Sequence, residues 1–128
     1  MRLLLDTHVF LWWVNDDPKL SNRVRDLIAD TDNSKFVSAV SAWELSIKTG
    51  LGKIRLDQPV STFFSTFTAE NYFDVLPIQL AHIYYTEHLP SHHKDPFDRL
   101  LIAQAKAEHL QIISADATFD AYEIERFW

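Results

Sequence analysis

KDPFDRLLIAQA, residues 94–105, decides how the rest of the chain is read. Pro96 suits the first position of a helix, where its missing N–H costs no hydrogen bond. Asp95 then falls at the N-cap, its carboxylate placed to accept from the open first turn. Asp98 falls three residues past the cap, at the helix end where the macrodipole favours negative charge. Behind it Leu101, Ile102 and Ala105, flanked by Leu100 and Ala103, make the helix apolar on most sides and therefore buried. A carboxylate at the mouth of a buried helix is either a cap and nothing more, or one wall of a site shared with other acids. The second reading needs equivalent acids at equivalent mouths.

Working outward, the chain supplies them. Arg2 to Leu5 is a short apolar run of the length of a buried parallel strand, and it stops at Asp6. A second strand is expected over Lys35–Ala39. Ser41-Ala-Trp-Glu44 follows and fits a capping box, with Ser41 at the cap and Glu44 three residues on. Gly50 and Gly52 are expected to end that helix. Asp74–Ile78 reads as a third strand, weakened by Pro77. A helix over Gln79–His88 is expected to turn Leu80, Ile83 and Tyr84 inward. Gln111–Ser114 is the fourth strand, ending just before Asp116, and Glu123–Trp128 a last one after a helical turn. Helices over Thr7–Val14, from a Ser21 cap to Ala29, and from Pro59 through Phe67 complete the alternation. That pattern predicts an α/β sandwich around a mainly parallel sheet, with no linker and so one domain over residues 1–128.

In such a sheet, ligands sit outside the carboxyl ends of the strands. Asp6, Glu44, Asp98 and Asp116 all fall at strand-to-helix junctions on that edge. Singly, each has a structural reading: Asp6 as a cap, Glu44 as half of a capping box, Asp116 as a turn cap with Asp120 an equal candidate ligand. Jointly they say more. Like charges about 5 Å apart repel by roughly 3 kcal/mol per pair at an effective dielectric of 20, before screening. A compensating cation or shared protons must accompany such a gathering. Oxygen donors without cysteine suit Mg²⁺ or Mn²⁺.

Composition agrees. The 128 residues suffice for one domain with a real core, and 47% hydrophobic with 23% charged residues is ordinary for a globular protein. The absence of cysteine excludes disulfides and thiolate metal sites, and makes a reducing cytoplasm the expected compartment. No apolar run approaches the roughly 20 residues that span a membrane, and Asp6 interrupts what would be a signal peptide's apolar region. A net charge of −6 argues against a basic nucleic-acid-binding surface and is expected where carboxylates gather around divalent cations.

The stretches LLLDTH, SAVSAWELSIKTGLGKIRL, HHKDPFDRLLIAQA and ISADATFDAY, taken together, resemble the PIN-domain ribonucleases, closest to the VapC-type toxins of toxin–antitoxin pairs. The resemblance covers nearly the whole chain. It implies a three-layer α/β/α sandwich and a Mg²⁺- or Mn²⁺-dependent endoribonuclease. The family's four acids fall on Asp6, Glu44, Asp98 and Asp116, which would serve as both catalytic and metal-binding residues. Thr7 and Ser114 match small hydroxyl positions beside the first and last acids. Asp95 would be an extra acid, a cap before it is a supporting group. The Ser-x-Asp pattern favours Asp116 over Asp120. The resemblance also implies an RNA substrate, a homodimer, and a cognate antitoxin whose C-terminal segment sends a basic side chain towards the acids.

The mechanism expected of such a site is metal-assisted attack of water on a phosphodiester. Lys48, Lys53, Lys94 and Arg99 are the candidates for holding RNA backbone, with Arg55 read as a solvated charge. His92 and His93 are read as a solvated pair or, alternatively, as ligands or substrate contacts. The first helix carries Val9, Phe10, Leu11, Trp12, Trp13 and Val14, more apolar surface than one face can bury, so a second cover is expected from the fold or from another chain. An aspartyl-phosphate phosphatase would want a second Asp two residues after Asp6, where His8 stands. A structure-specific DNA nuclease using the same acids, and a silent protein-binding module, are the alternatives.

Overall fold

The computed structural model describes residues 1–92 and 94–128. Five strands, β1 Arg2–Leu5, β2 Ser34–Ser38, β3 Asp74–Leu76, β4 Gln111–Ile113 and β5 Arg126–Phe127, form one sheet in the order β3-β2-β1-β4-β5. Every pairing is parallel, with Leu5 opposite Val37 and Ile113. The helices are α1 Thr7–Val14, α2 Asn22–Ala29, α3 Ala39–Gly50, α4 Val60–Glu70, α5 Leu80–Thr86 and α6 Pro96–Ala107, with a 3₁₀ turn over Ala117–Tyr122.

Alternation along the strands assigns the layers. Leu3, Leu5, Val37 and Ile113 point to one face, where they pack with Val9 and Phe10 of α1, Val24 and Ile28 of α2, and Phe63 of α4. Leu4 and Ile112 point to the other, against Leu101, Ile102 and Ala105 of α6 and Phe119 and Tyr122 of the 3₁₀ turn. This is the expected α/β/α sandwich around a parallel sheet. The chain builds outward from β1 to β3 and then crosses back to place β4 on β1's other side. The crevice between β1 and β4 at their carboxyl ends is therefore the topological switch point, where such sheets bind ligands.

The structure moves three of the sequence expectations. Helix α3 begins three residues early, at Ala39, capped by Ser38, whose hydroxyl accepts from the Val40 N–H at 2.9 Å. Ser41 and Glu44 are thus inside the helix and form no capping box. Gly50 is the last helical residue, and Gly52, at φ 73°, makes the left-handed turn. The largest change concerns α5. Leu80, Ile83 and Tyr84 are 64%, 45% and 62% exposed, while His82 is 1% exposed. His82 faces α6 because its ring is fully bonded there: Nδ1 accepts from the Gln79 N–H at 3.1 Å and Nε2 meets Glu108 Oε1 at 2.8 Å. On a helix, positions two before and two after His82 turn to the opposite side.

Helix α1 does find a second cover within the chain. The Trp12 ring lies 5.7 Å from Trp128, and the Trp13 indole donates to Asn71 Oδ1 at 2.9 Å, leaving both rings half-buried. No helix among the described residues is long and apolar enough to cross a membrane.

Candidate metal-binding site

Asp6 follows β1 directly. Its backbone N–H bonds the Ile113 carbonyl of β4 at 3.1 Å, so the sheet itself sets its position. The carboxylate caps α1, accepting from the Val9 N–H at 2.8 Å, and is only 7% exposed. Burial pushes its pKa up, hydrogen bonds from Ser114 and Val9 together with the His8 charge oppose that, and Glu44 adds to it.

Glu44, 4% exposed, projects from the second turn of α3, and the Lys48 ammonium one turn on is ion-paired with its Oε2. Thr7 donates to Ser41 Oγ at 2.8 Å in the interior, locking the start of α1 to α3 beside these two acids. Trp43 and Phe97 pack edge to face with centroids 4.5 Å apart. Each precedes a site acid in sequence, so this contact holds the Glu44 turn of α3 near the Asp98 turn of α6, with an aromatic pair contributing about 1 kcal/mol beyond its area.

Asp95 caps α6 as expected, accepting from the Phe97 and Asp98 N–H groups at 2.8 and 3.1 Å. That frees the Asp98 carboxylate for the crevice. Partial burial and then the charges of Asp95, Glu44, Asp6 and Asp116 push its pKa up to about 7. The charges of the other three acids, arriving from separate segments, thus all reach Asp98. Asp116 caps the 3₁₀ turn, accepting from the Thr118 N–H at 3.0 Å and the Thr118 hydroxyl at 2.6 Å. Ser114, fully buried, stands between the two ends of the crevice: its hydroxyl accepts from the Asp116 N–H at 3.0 Å and opposes the upward shift of the Asp6 carboxyl.

Asp120 stands apart. Arg126 binds it with two parallel bonds, Nε to Oδ1 at 2.8 Å and Nη2 to Oδ2 at 3.0 Å, which lowers its pKa, and Arg126 also donates to the Ser114 carbonyl. Arg126 had no signal in the sequence, since only the parallel pairing of β5 with β4 brings it to this loop. Arg99 donates to the carbonyls of Thr86 and Pro90, which ties the start of α6 to the loop after α5. Lys53 and Lys94 are exposed, and His92 packs edge-on against Tyr122 at 5.2 Å. His93 lies outside the described residues.

Oxygen-only donors and crowded negative charge fit a hard divalent cation. The rotamers are not closed on one: among the described residues, no three acidic or imidazole groups stand together tightly enough to hold an ion. Asp6 is turned to its helix, Glu44 to Lys48, and Asp116 to Thr118.

No curated protein matches the chain. Solved structures do. VapBC2 from Rickettsia felis, bound to a promoter DNA fragment, superposes with a TM-score of 0.72 at 16% identity, covering 99% of this chain and 98% of that one. FitAcB from Neisseria gonorrhoeae gives 0.65 at 18% identity, with 98% and 96% covered. VapBC-1 from nontypeable Haemophilus influenzae gives 0.64 at 16% identity, with 99% and 97% covered. At these identities the likeness is one of fold. The model of the PIN domain matches residues 3–125, nearly the whole length, and the chain belongs to the PIN-domain family.

Proposed function

We propose that this chain is a Mg²⁺- or Mn²⁺-dependent endoribonuclease, the toxin of a toxin–antitoxin pair, folded as one domain over residues 1–128. The family makes it a nuclease. The observation that carries the finer reading is the convergence of Asp6, Glu44, Asp98 and Asp116 on the switch point, with Asp98 pushed up to about 7 by burial first and then by the charges of Asp95, Glu44, Asp6 and Asp116. Those four would hold the ion. When bound, a divalent ion supplies an activated water and neutralises charge developing on the scissile phosphate. The protein's own part is to orient. Ser114 holds the Asp116 backbone, the Ile113 carbonyl and the Val9 N–H hold Asp6, Thr7 and Ser41 fix α1 against α3, and Asp95 keeps the α6 N-terminus ordered beneath Asp98.

Lys53 and Lys94 are the exposed cations proposed to meet RNA backbone. An antitoxin is proposed because the fold neighbours include a structure described as a toxin–antitoxin complex from Klebsiella pneumoniae, and the acid-lined edge would receive a basic side chain of such a partner. A second copy of this chain is proposed for the apolar face of α5 and α3, where Leu80, Ile83, Tyr84, Trp43 and Ile47 are exposed.

Purified chain without a partner should cut an RNA oligonucleotide with Mg²⁺ or Mn²⁺ and be silent in EDTA. Asp6→Asn, Asp98→Asn and Asp116→Asn should each lower the rate at least about a hundredfold, the scale of losing a positioned electrostatic group. Asp120→Asn should stay within about twofold, since Arg126 already occupies that carboxylate. The same sequence as DNA separates the two nuclease readings: equal cutting of both would refute RNA selectivity. Cutting that survives all three site variants would put the active centre elsewhere.

A further inference from the structure

Glu44 is the site acid least exposed to water, and its charge is answered from within its own helix. Lys48 lies one turn on from it, so the two share a helix face. The Glu44 side chain is 6% exposed, that of Lys48 25%. A buried carboxylate is tolerated when a counter-charge accompanies it. Here that counter-charge sits at the end of a flexible four-carbon stem with a path to solvent. It belongs to one of the cations proposed from sequence to hold RNA, yet it is spent on an acid of the site.

We propose that Lys48 is the resident counter-ion of Glu44, and that a divalent metal binding to the acid cluster displaces it. This rests on the reading of the four acids as a metal site and adds a cost to filling that site. An ammonium and a divalent cation on the same carboxylate repel at short range. The exchange trades a monovalent partner for a divalent one on the same buried carboxylate, and the Lys48 ammonium, 25% exposed, has water to move into. Two consequences follow. Metal-free protein keeps Glu44 neutralised and folded. Metal affinity is set below what the four carboxylates alone would give, so the site fills only where metal is abundant enough to outcompete its own lysine.

The test is Mn²⁺ titration by calorimetry on the whole chain, with thermal melts in EDTA alongside. Lys48→Gln keeps reach to Glu44 but removes the charge, and Lys48→Arg keeps the charge. Lys48→Gln should bind Mn²⁺ about tenfold more tightly than wild type, the lower end of what a neighbour of a metal ligand is worth. It should also melt at a lower temperature in EDTA. Lys48→Arg should stay near wild type in both. Should the glutamine variant be unfolded in EDTA, Lys48→Met is read the same way, and a folded chain rescued only by Mn²⁺ also supports displacement. Equal affinity in wild type and Lys48→Gln overturns the proposal while leaving the metal site standing. Weaker binding in Lys48→Gln also overturns it, and shows Lys48 orienting Glu44 for the ion. Absence of Mn²⁺ binding by the wild type overturns the metal site itself, and this inference with it.

Discussion

Asp98 carries the sharpest expectation about pH. Burial and the neighbouring carboxylates hold its folded-state pKa near 7, against an ordinary value of 3.8. The folded chain therefore binds a proton that the unfolded chain has already released across that interval. Metal-free protein should lose stability as pH rises from about 4 to about 7, and the loss should level off above that. Asp98→Asn removes this contribution, so its stability should fall less over the same interval and should match or exceed wild type at pH 8. Urea unfolding in EDTA at pH 4.5, 6 and 8 checks it, and parallel curves for the two proteins would show that Asp98 titrates normally. At this scale the residue types were readable from the sequence, because capping and charge at a helix N-terminus are local. Asp95 as cap was read correctly for that reason. The choice between Asp116 and Asp120 was not local, since Arg126, arriving on a neighbouring strand, is what claims Asp120.

Among the elements, α3 shows how a local rule can be right in kind and wrong in register. Ser38 and Ser41 both suit a cap, and Ser41 has the better motif. Ser38 takes the role because β2 pairs with β1 only as far as Val37 opposite Leu5, and because the Ser38 hydroxyl is held by Gln104 Oε1 at 2.5 Å. Gln104 is fully buried, and its amide also donates to the Pro77 carbonyl at 3.1 Å and stands 3.4 Å from His82 Nδ1. One α6 side chain thus ties together the cap of α3, the end of β3 and the buried face of α5. Gln104→Leu would keep the volume and strand the Ser38 hydroxyl and the Pro77 carbonyl. It should cost about 2 kcal/mol, read as a lower urea midpoint at unchanged slope. A loss under about 0.5 kcal/mol would mean that the network contributes nothing net.

For the whole molecule, the open question is which apolar surface meets a partner. The first helix looked the best candidate in sequence, but the chain folds its own Trp128 and Asn71 against it. The surplus stands on α5 and α3 instead, bordering a groove of about 420 Å³ between Trp43, Ile83 and Leu100. If a second copy covers that face, wild type should run as a dimer by light scattering after size exclusion. Ile83→Glu, at a position 45% exposed, should then run as a monomer, with thermal unfolding measured at matched low concentration changed by no more than about 0.5 kcal/mol. A wild type that is monomeric at high concentration, or a variant that stays dimeric, assigns the face to something else.

The alternation of strands and helices, the buried character of α6 and the places of Asp6 after β1 and of Asp98 in the first turn of α6 were determined by the sequence alone. All of them depend on spacing within a few residues, which periodicity and capping chemistry report directly. Strand order, the crossing that opens the crevice between β1 and β4, the Arg126 partner of Asp120 and the outward face of α5 were decided only in three dimensions. The physical reason is competition. A helix with two possible faces buries the one whose polar groups find partners, and for α5 those partners, Gln104 and Glu108, lie on another helix more than twenty residues away in sequence.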